Sequence, residues 1–279
     1  SAPSAPAAPD VQSITPAGLS ISGGEVVHII GKFAGFNDAS GLGGTVTFDP
    51  SGSNLAGSVV GSDMVVVSSG AVTDGVDGDL NIGNGADFTA GSIELGNDPA
   101  NAVNFGTLTF NSAGSVRISE DSAMAVSGPS SAGDGLVLVG ADDVTLNASV
   151  TVSGDINVTA GTTSGGIDVN AKLNGSGAIV LDAADEITIH ADIDPTTVTL
   201  EADDDITINA SVVASDLITV SAGQDGTGGI SLNVAGSLET TDAGSDVVLS
   251  AGSSSGDIDL VGTTTAVDHV SIESATGAI

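Results

Sequence analysis

Residues 178–196 and 197–215 lie back to back and match each other at a fixed offset of 19 residues. Ile179 falls on Val198, Leu181 on Leu200 and Ala183 on Ala202; Asp185 falls on Asp204, Ile187 on Ile206, Ile189 on Ile208 and Ala191 on Ala210. A unit this short cannot bury an apolar face alone. It has to stack on copies of itself, which restricts the chain to a solenoid.

The pattern inside the unit selects the kind of solenoid. Ile187, Ile189, Ala191 and Ile193 alternate with Thr188, His190 and Asp192. That is the period of a strand with one buried face. Ile, Val, Thr and Leu dominate, and no helical period appears. Nineteen residues hold two or three short strands and their corners. The expected fold is therefore all-β, a right-handed parallel β-helix whose coils stack about 4.8 Å apart. Ile187/Ile206 and Ile189/Ile208 should be vertical neighbours that face inward, and Ala183, Ala202 and Ala210 suit a narrow interior.

The phrase recurs at other spacings, so coil length varies. Asp142–Ala148 repeats Asp204–Ala210. Ile156–Gly161 followed by Gly165–Val169 returns as Ile218–Gly223 with Gly228–Leu232, and as Val248–Gly252 with Gly256–Leu260. Glycine belongs at such corners, where the backbone needs angles closed to other residues. The β-helix is expected over residues 55–279. Residues 1–10, SAPSAPAAPD, read as an extended linker or tether. Residues 11–54 read as an N-terminal β cap or a small β-sandwich. All six Phe lie within the first 110 residues, which supports a different construction at that end.

The phrases Gly91–Gly96, Leu108–Val116, Val144–Ala148 and Ile206–Ala210 resemble the filamentous-haemagglutinin-like repeats of giant bacterial surface proteins. The resemblance covers roughly residues 55–279. It implies a secreted right-handed β-helix serving as an adhesin or matrix component. The secretion-domain motifs of that family are not evident. Residues 11–50 resemble the opening of an IPT/TIG immunoglobulin-like module, with a Pro turn at Pro16, Gly23-Gly24, a strand ending in Gly31-Lys-Phe33, and Val46-Thr-Phe48.

Charge and composition exclude several functions. Thirty-six acids face only Lys32, Arg117 and Lys172, a net charge of −33. Nucleic acid is excluded as a partner, because its binding rests on Lys and Arg neutralising phosphates. An anionic membrane surface is excluded for the same reason, and no apolar run is long enough for a transmembrane helix. The acidity also keeps exposed strands from pairing edge to edge. There is no Cys, Trp or Tyr, so the disulfide framework and the sugar-stacking aromatics are both missing. His28, His190 and His269 are far apart, and His190 occupies the place of Asn209 in the matched coil. The paired acids recur at one corner from coil to coil, which is a structural habit. No enzyme chemistry and no resident cofactor are expected.

The acids do suggest one ligand. Asp185 over Asp204 places carboxylates about 5 Å apart, a repulsion of roughly 0.8 kcal/mol in water-like dielectric. Asp74, Asp77 and Asp79 form a second acidic, glycine-rich turn. Ca²⁺ takes oxygens from such loops, so these five residues are candidate calcium ligands; solvated acids are the alternative.

The sequence stops inside the repeat phrase at Ile279, without the polar cap that closes most solenoids. Either the chain continues, or the open coil is covered by another subunit. On the second reading the chain is an extracellular structural protein, a subunit of a filament, sheath or biofilm matrix that assembles head to tail. Ile272 and Ile279 would lie at one junction face and Val11 and Ile14 at the other. On the first reading it is the stalk of a surface adhesin. A polysaccharide-binding or -processing β-helix is a further alternative. The expected partners are other copies of the chain, with extracellular polysaccharide or a cell surface beside them. The expected location is the outside of a bacterial or archaeal cell.

Overall fold

The computed structural model describes residues 44–47, 53–55, 60–61, 63–74, 78–225, 228–233, 235–252, 256–274 and 279. Every regular element among them is a β-strand. Every strand pairing is parallel. The chain is a β-solenoid.

Each regular coil contributes one strand to each of three faces. In one coil these are Met124–Val126, Ser130–Ala132 and Leu136–Gly140; in the next they are Val144–Leu146, Val150–Val152 and Ile156–Ala160. The third face is an 11-stranded sheet. The first and second faces join into one 19-stranded sheet. They join because Leu80–Ala90 and Val103–Ser112 run through both faces as single long strands.

The expected register is present. Ile179 pairs with Val198, Leu181 with Leu200 and Ala183 with Ala202. Ile187 pairs with Ile206 and Ile189 with Ile208, all four fully buried. A one-residue slip would turn this whole set outward, so burial itself holds the register. Coil length varies as expected. On the third face, Val116, Leu136, Ile156, Ile179, Val198, Ile218, Val247 and Val270 stand in one vertical column. The extra residues of the longer steps lie in the corners, between strands. Gly161 and Gly223 turn such corners at φ 67° and 70°, which L side chains rarely adopt. A Cβ on Gly161 would also collide with the Ser164 carbonyl.

The described N-terminal strands continue the solenoid. The parallel ladder reaches below residue 55: Gly44–Thr47 pairs with Met64–Val67, and Ser53–Leu55 with Val72–Asp74. Phe88, Phe105 and Phe110 belong to the solenoid core, not to a separate module. The rings of Phe88 and Phe105 lie 5.6 Å apart in a tilted pair. The linker 1–10, and the rest of the 11–54 segment with its IPT/TIG-like strands, lie outside the described residues.

Candidate functional site

Between the third face of one coil and the first face of the next runs an acidic corner. It carries Asp79, Asp121, Asp142-Asp143, Asp185-Glu186, Asp203-Asp204-Asp205 and Asp225. Four of these carboxylates accept from the backbone of an adjacent coil. Asp79 Oδ1 accepts from the Ala102 N–H at 2.9 Å, Asp143 Oδ1 from Gly166 at 2.9 Å and Asp205 Oδ1 from Gly229 at 2.7 Å. Asp121 Oδ2 accepts from Val103 in the coil below at 2.9 Å. At other corners, Asp155 accepts from Ala178 at 2.8 Å and Asp192 from Ser211 at 3.2 Å. A corner bends the chain away from its ladder and strands an N–H. A short carboxylate restores the missing acceptor, as it does at a helix N-cap.

Four of the five candidate calcium ligands are described, Asp74 and Asp79 at one end of the solenoid and Asp185 and Asp204 in two stacked coils. Asp74 Oδ2 accepts from the Gly96 N–H at 2.9 Å and from Asn101 Nδ2 at 3.1 Å, while its Oδ1 is buried without a donor. Asp79 serves Ala102 as above. Asp77 lies outside the described residues. Asp185 and Asp204 do stack, with the Asp204 N–H on the Asp185 carbonyl at 3.1 Å. Asp204 is exposed, yet its pKa is raised. Partial desolvation is the largest cause, followed by the charges of Asp185 and Asp225. Among the described residues, the one group of three metal-type ligands is Asp246, Asp268 and His269. His269 Nδ1 lies 3.4 Å from Asp246 Oδ1 and 3.2 Å from Asp268 Oδ1. Asp246 and His269 are brought together by coil register, which a 19-residue offset could not reveal.

At the end of the first face an amide ladder climbs the surface. Asn170 Nδ2 donates to Asn147 Oδ1 at 3.1 Å, and Asn233 Nδ2 donates to Asn209 Oδ1. His190 stands in this column, with Nδ1 3.5 Å from Asn209 Nδ2. Its expected ladder position is therefore observed.

One acid behaves differently from all these. Glu120 ends the third-face strand Val116–Glu120 and points inward, at 3% exposure. It takes the place that Gly140, Ala160, Ala183 and Ala202 fill in the coils above. Its Oε2 accepts from the Phe105 N–H at 3.0 Å, and its Oε1 is buried with no donor. Burial pushes its pKa up to about 8; the Phe105 bond opposes that shift and the charge of Asp121 adds to it.

The last described rung is Val270–Ser274. Val270 and Ile272 pair with Val247 and Leu249, which are fully buried. Val270 itself is 43% exposed, and Ile272 is partly buried against the core. Val261, Val267 and Ile279 are also exposed there. Ser250, Ala251, Ile272, Glu273, Ser274 and Ile279 line a cleft of about 370 Å³. Val11 and Ile14, expected at the opposite junction, lie outside the described residues. No helix among the described residues is long and apolar enough to cross a membrane.

No protein-family model, no curated protein and no solved structure matches this chain.

Proposed function

We propose that the chain is an extracellular structural β-solenoid that works by end-to-end stacking, in the manner of filamentous-haemagglutinin-like surface and matrix proteins. The observation that carries this is the contrast between Val270 and Val247. They occupy the same inward position on successive coils, and only Val247 is covered. Covering Val270 and Ile272 with another coil would remove apolar surface from water at roughly 25 cal/mol per Å². It would also pair the open strand edge of Val270–Ser274. A coil of a second copy gives a contact that does not close on itself, and so propagates as a filament. The acidic flanks keep such filaments apart sideways.

A coil supplied by a longer polypeptide would cover the same edge, and the chain would then be part of a stalk. Electron microscopy of the purified 279-residue chain separates the two. Filaments many solenoids long support self-assembly. Single short rods at every concentration and salt tested would defeat it.

A further inference from the structure

The coil formed by Val103–Ser112 and Val116–Glu120 is bound unevenly to the coil above it. Below, Val103–Ser112 pairs with Leu80–Ala90 at nine positions. Above, it pairs at one position with Met124–Val126, Leu108 with Val126, and at two with Ser130–Ala132. Three of its backbone N–H groups go up to side chains of the neighbouring chain segment. Val103 donates to Asp121 Oδ2 at 2.9 Å, Phe105 to Glu120 Oε2 at 3.0 Å and Phe110 to Ser130 Oγ at 3.1 Å. The third face stays regular, with five pairs from Val116–Leu136 to Glu120–Gly140. Three backbone bonds also cross here, from the Asp121, Ser127 and Gly133 N–H groups to the Val103, Leu108 and Ser112 carbonyls at 2.9, 3.0 and 3.0 Å; two of the three faces therefore have a seam with a thinned ladder, and the third is continuous across it.

We propose that Glu120 is a proton-dependent latch on this seam: protonated, it holds the first faces of the two coils together, and ionised, it lets them part about the intact third face. The geometry gives the reason. Oε1 is buried and has no donor, so a negative charge there gains solvation when the seam opens. No cation faces it. Asp121 is adjacent in sequence, and Gly140 lies over it on the third face. The corner below carries Asp98 and the buried Asn101, whose amide is turned to Asp74. The corner above carries Asp142 and Asp143, both exposed. Arg117, on the same strand, is exposed and stands in register with Glu94. Among the described residues, every charged group near Glu120 on the packed corners is thus an acid.

The sign follows from the burial-raised pKa. With the open seam titrating like an ordinary glutamate, near 4.5, closure is most favourable below that pH. It is lost progressively up to about pH 8, by about tenfold per pH unit, and changes no further above. Amide hydrogen exchange on the full chain reads this directly. Between pH 5 and 8, the Phe105 and Val103 amides should speed up by about a hundredfold per unit. Tenfold of that is ordinary base catalysis, and the remainder is opening. Amides of the regular coils, such as Ile187, should follow tenfold alone. Glu120→Gln should bring Phe105 back to tenfold. A Phe105 slope of tenfold in the native chain, or an unchanged excess in the Gln variant, would overturn the latch. If Glu120→Gln does not fold, carboxyl ¹³C titration of Glu120 in the native chain decides: a midpoint near 8 supports it, and one near 4.5 rejects it.

Discussion

Asp205 in one coil accepts the backbone N–H of Gly229 in the next, at 2.7 Å across a gap of 24 residues. The same arrangement links Asp143 to Gly166 and Asp79 to Ala102. The acid-rich corners are thereby explained in part without a ligand. A carboxylate at the turn replaces the carbonyl that the ladder loses there. Charge-assisted bonds to backbone are stronger than neutral ones, but these lie at the surface, so each is worth about 1 kcal/mol. Asp205→Ala should lower stability by about that amount in denaturant titration. Asp205→Asn, which keeps an oxygen in place, should recover most of the loss. Equal losses from the two variants would show that the side-chain oxygen does not carry the effect.

Charge matters more where carboxylates meet each other. Asp204 sits between Asp185 and Asp225, and these neighbours join desolvation in raising its pKa above the ordinary 3.8. A raised carboxyl contributes stability that is present in acid and is lost as pH rises through its folded-state pKa. Asp204→Asn should therefore raise the melting temperature at pH 7 and flatten its fall between pH 4 and 7. A lower melting temperature in the variant would mean that the carboxylate is held by an attraction, a bound cation being the first candidate.

That alternative has its own measurement. Millimolar Ca²⁺ stabilises a protein only in so far as it binds the folded state better than the unfolded one. Simple screening acts alike for Ca²⁺ and Mg²⁺ at equal ionic strength. The carboxylates of Asp74 and Asp79 are already engaged with backbone and side-chain donors, so the two ions should shift the melting temperature equally. A Ca²⁺-specific rise that Asp204→Asn removes would restore the calcium reading.

The core was the most legible part of the sequence. Ile187 over Ile206 follows from a 19-residue offset and a two-residue alternation, because one buried face leaves a single register open. Replacing Ile206 with Asp should put an unpaired charge among fully buried residues and unfold several coils. Ile206→Val should cost only about 1 kcal/mol. Circular dichroism melts check both, and an unchanged melt for Ile206→Asp would refute the register. Glu120 was harder to read. Its alternation with Val116 and Ile118 already placed it inward, but an acid in that column reads as surface unless the parity is followed to the strand's end. The coils that contain Leu80–Ala90 and Val103–Ser112 were hidden for another reason: in each, the first two strands are fused through the corner, and the glycines there, Gly83, Gly85 and Gly106, lie inside a continuous strand instead of ending one. The Asp246–His269 meeting depends on a coil length that no single period supplies.

The assembly reading makes a prediction about salt. The net charge of −33 opposes any approach of two copies, and Asp268 and Glu273 sit on the very rung that would be covered. The screening length falls from about 10 Å at 0.1 M salt to about 3 Å at 1 M. Association through an apolar end should therefore strengthen with salt, whereas association through ion pairs would weaken. Val270→Glu adds a charge at a position that is 43% exposed in the single chain but would be buried in a stack. It should leave the stability of the single solenoid within about 1 kcal/mol of its original value, while abolishing high-salt filaments in light scattering and electron microscopy. Val67→Glu, a comparably exposed valine on the side of the solenoid, is the control and should still assemble. Filaments that survive Val270→Glu and vanish with Val67→Glu would place the contact on the flank and overturn end-to-end stacking.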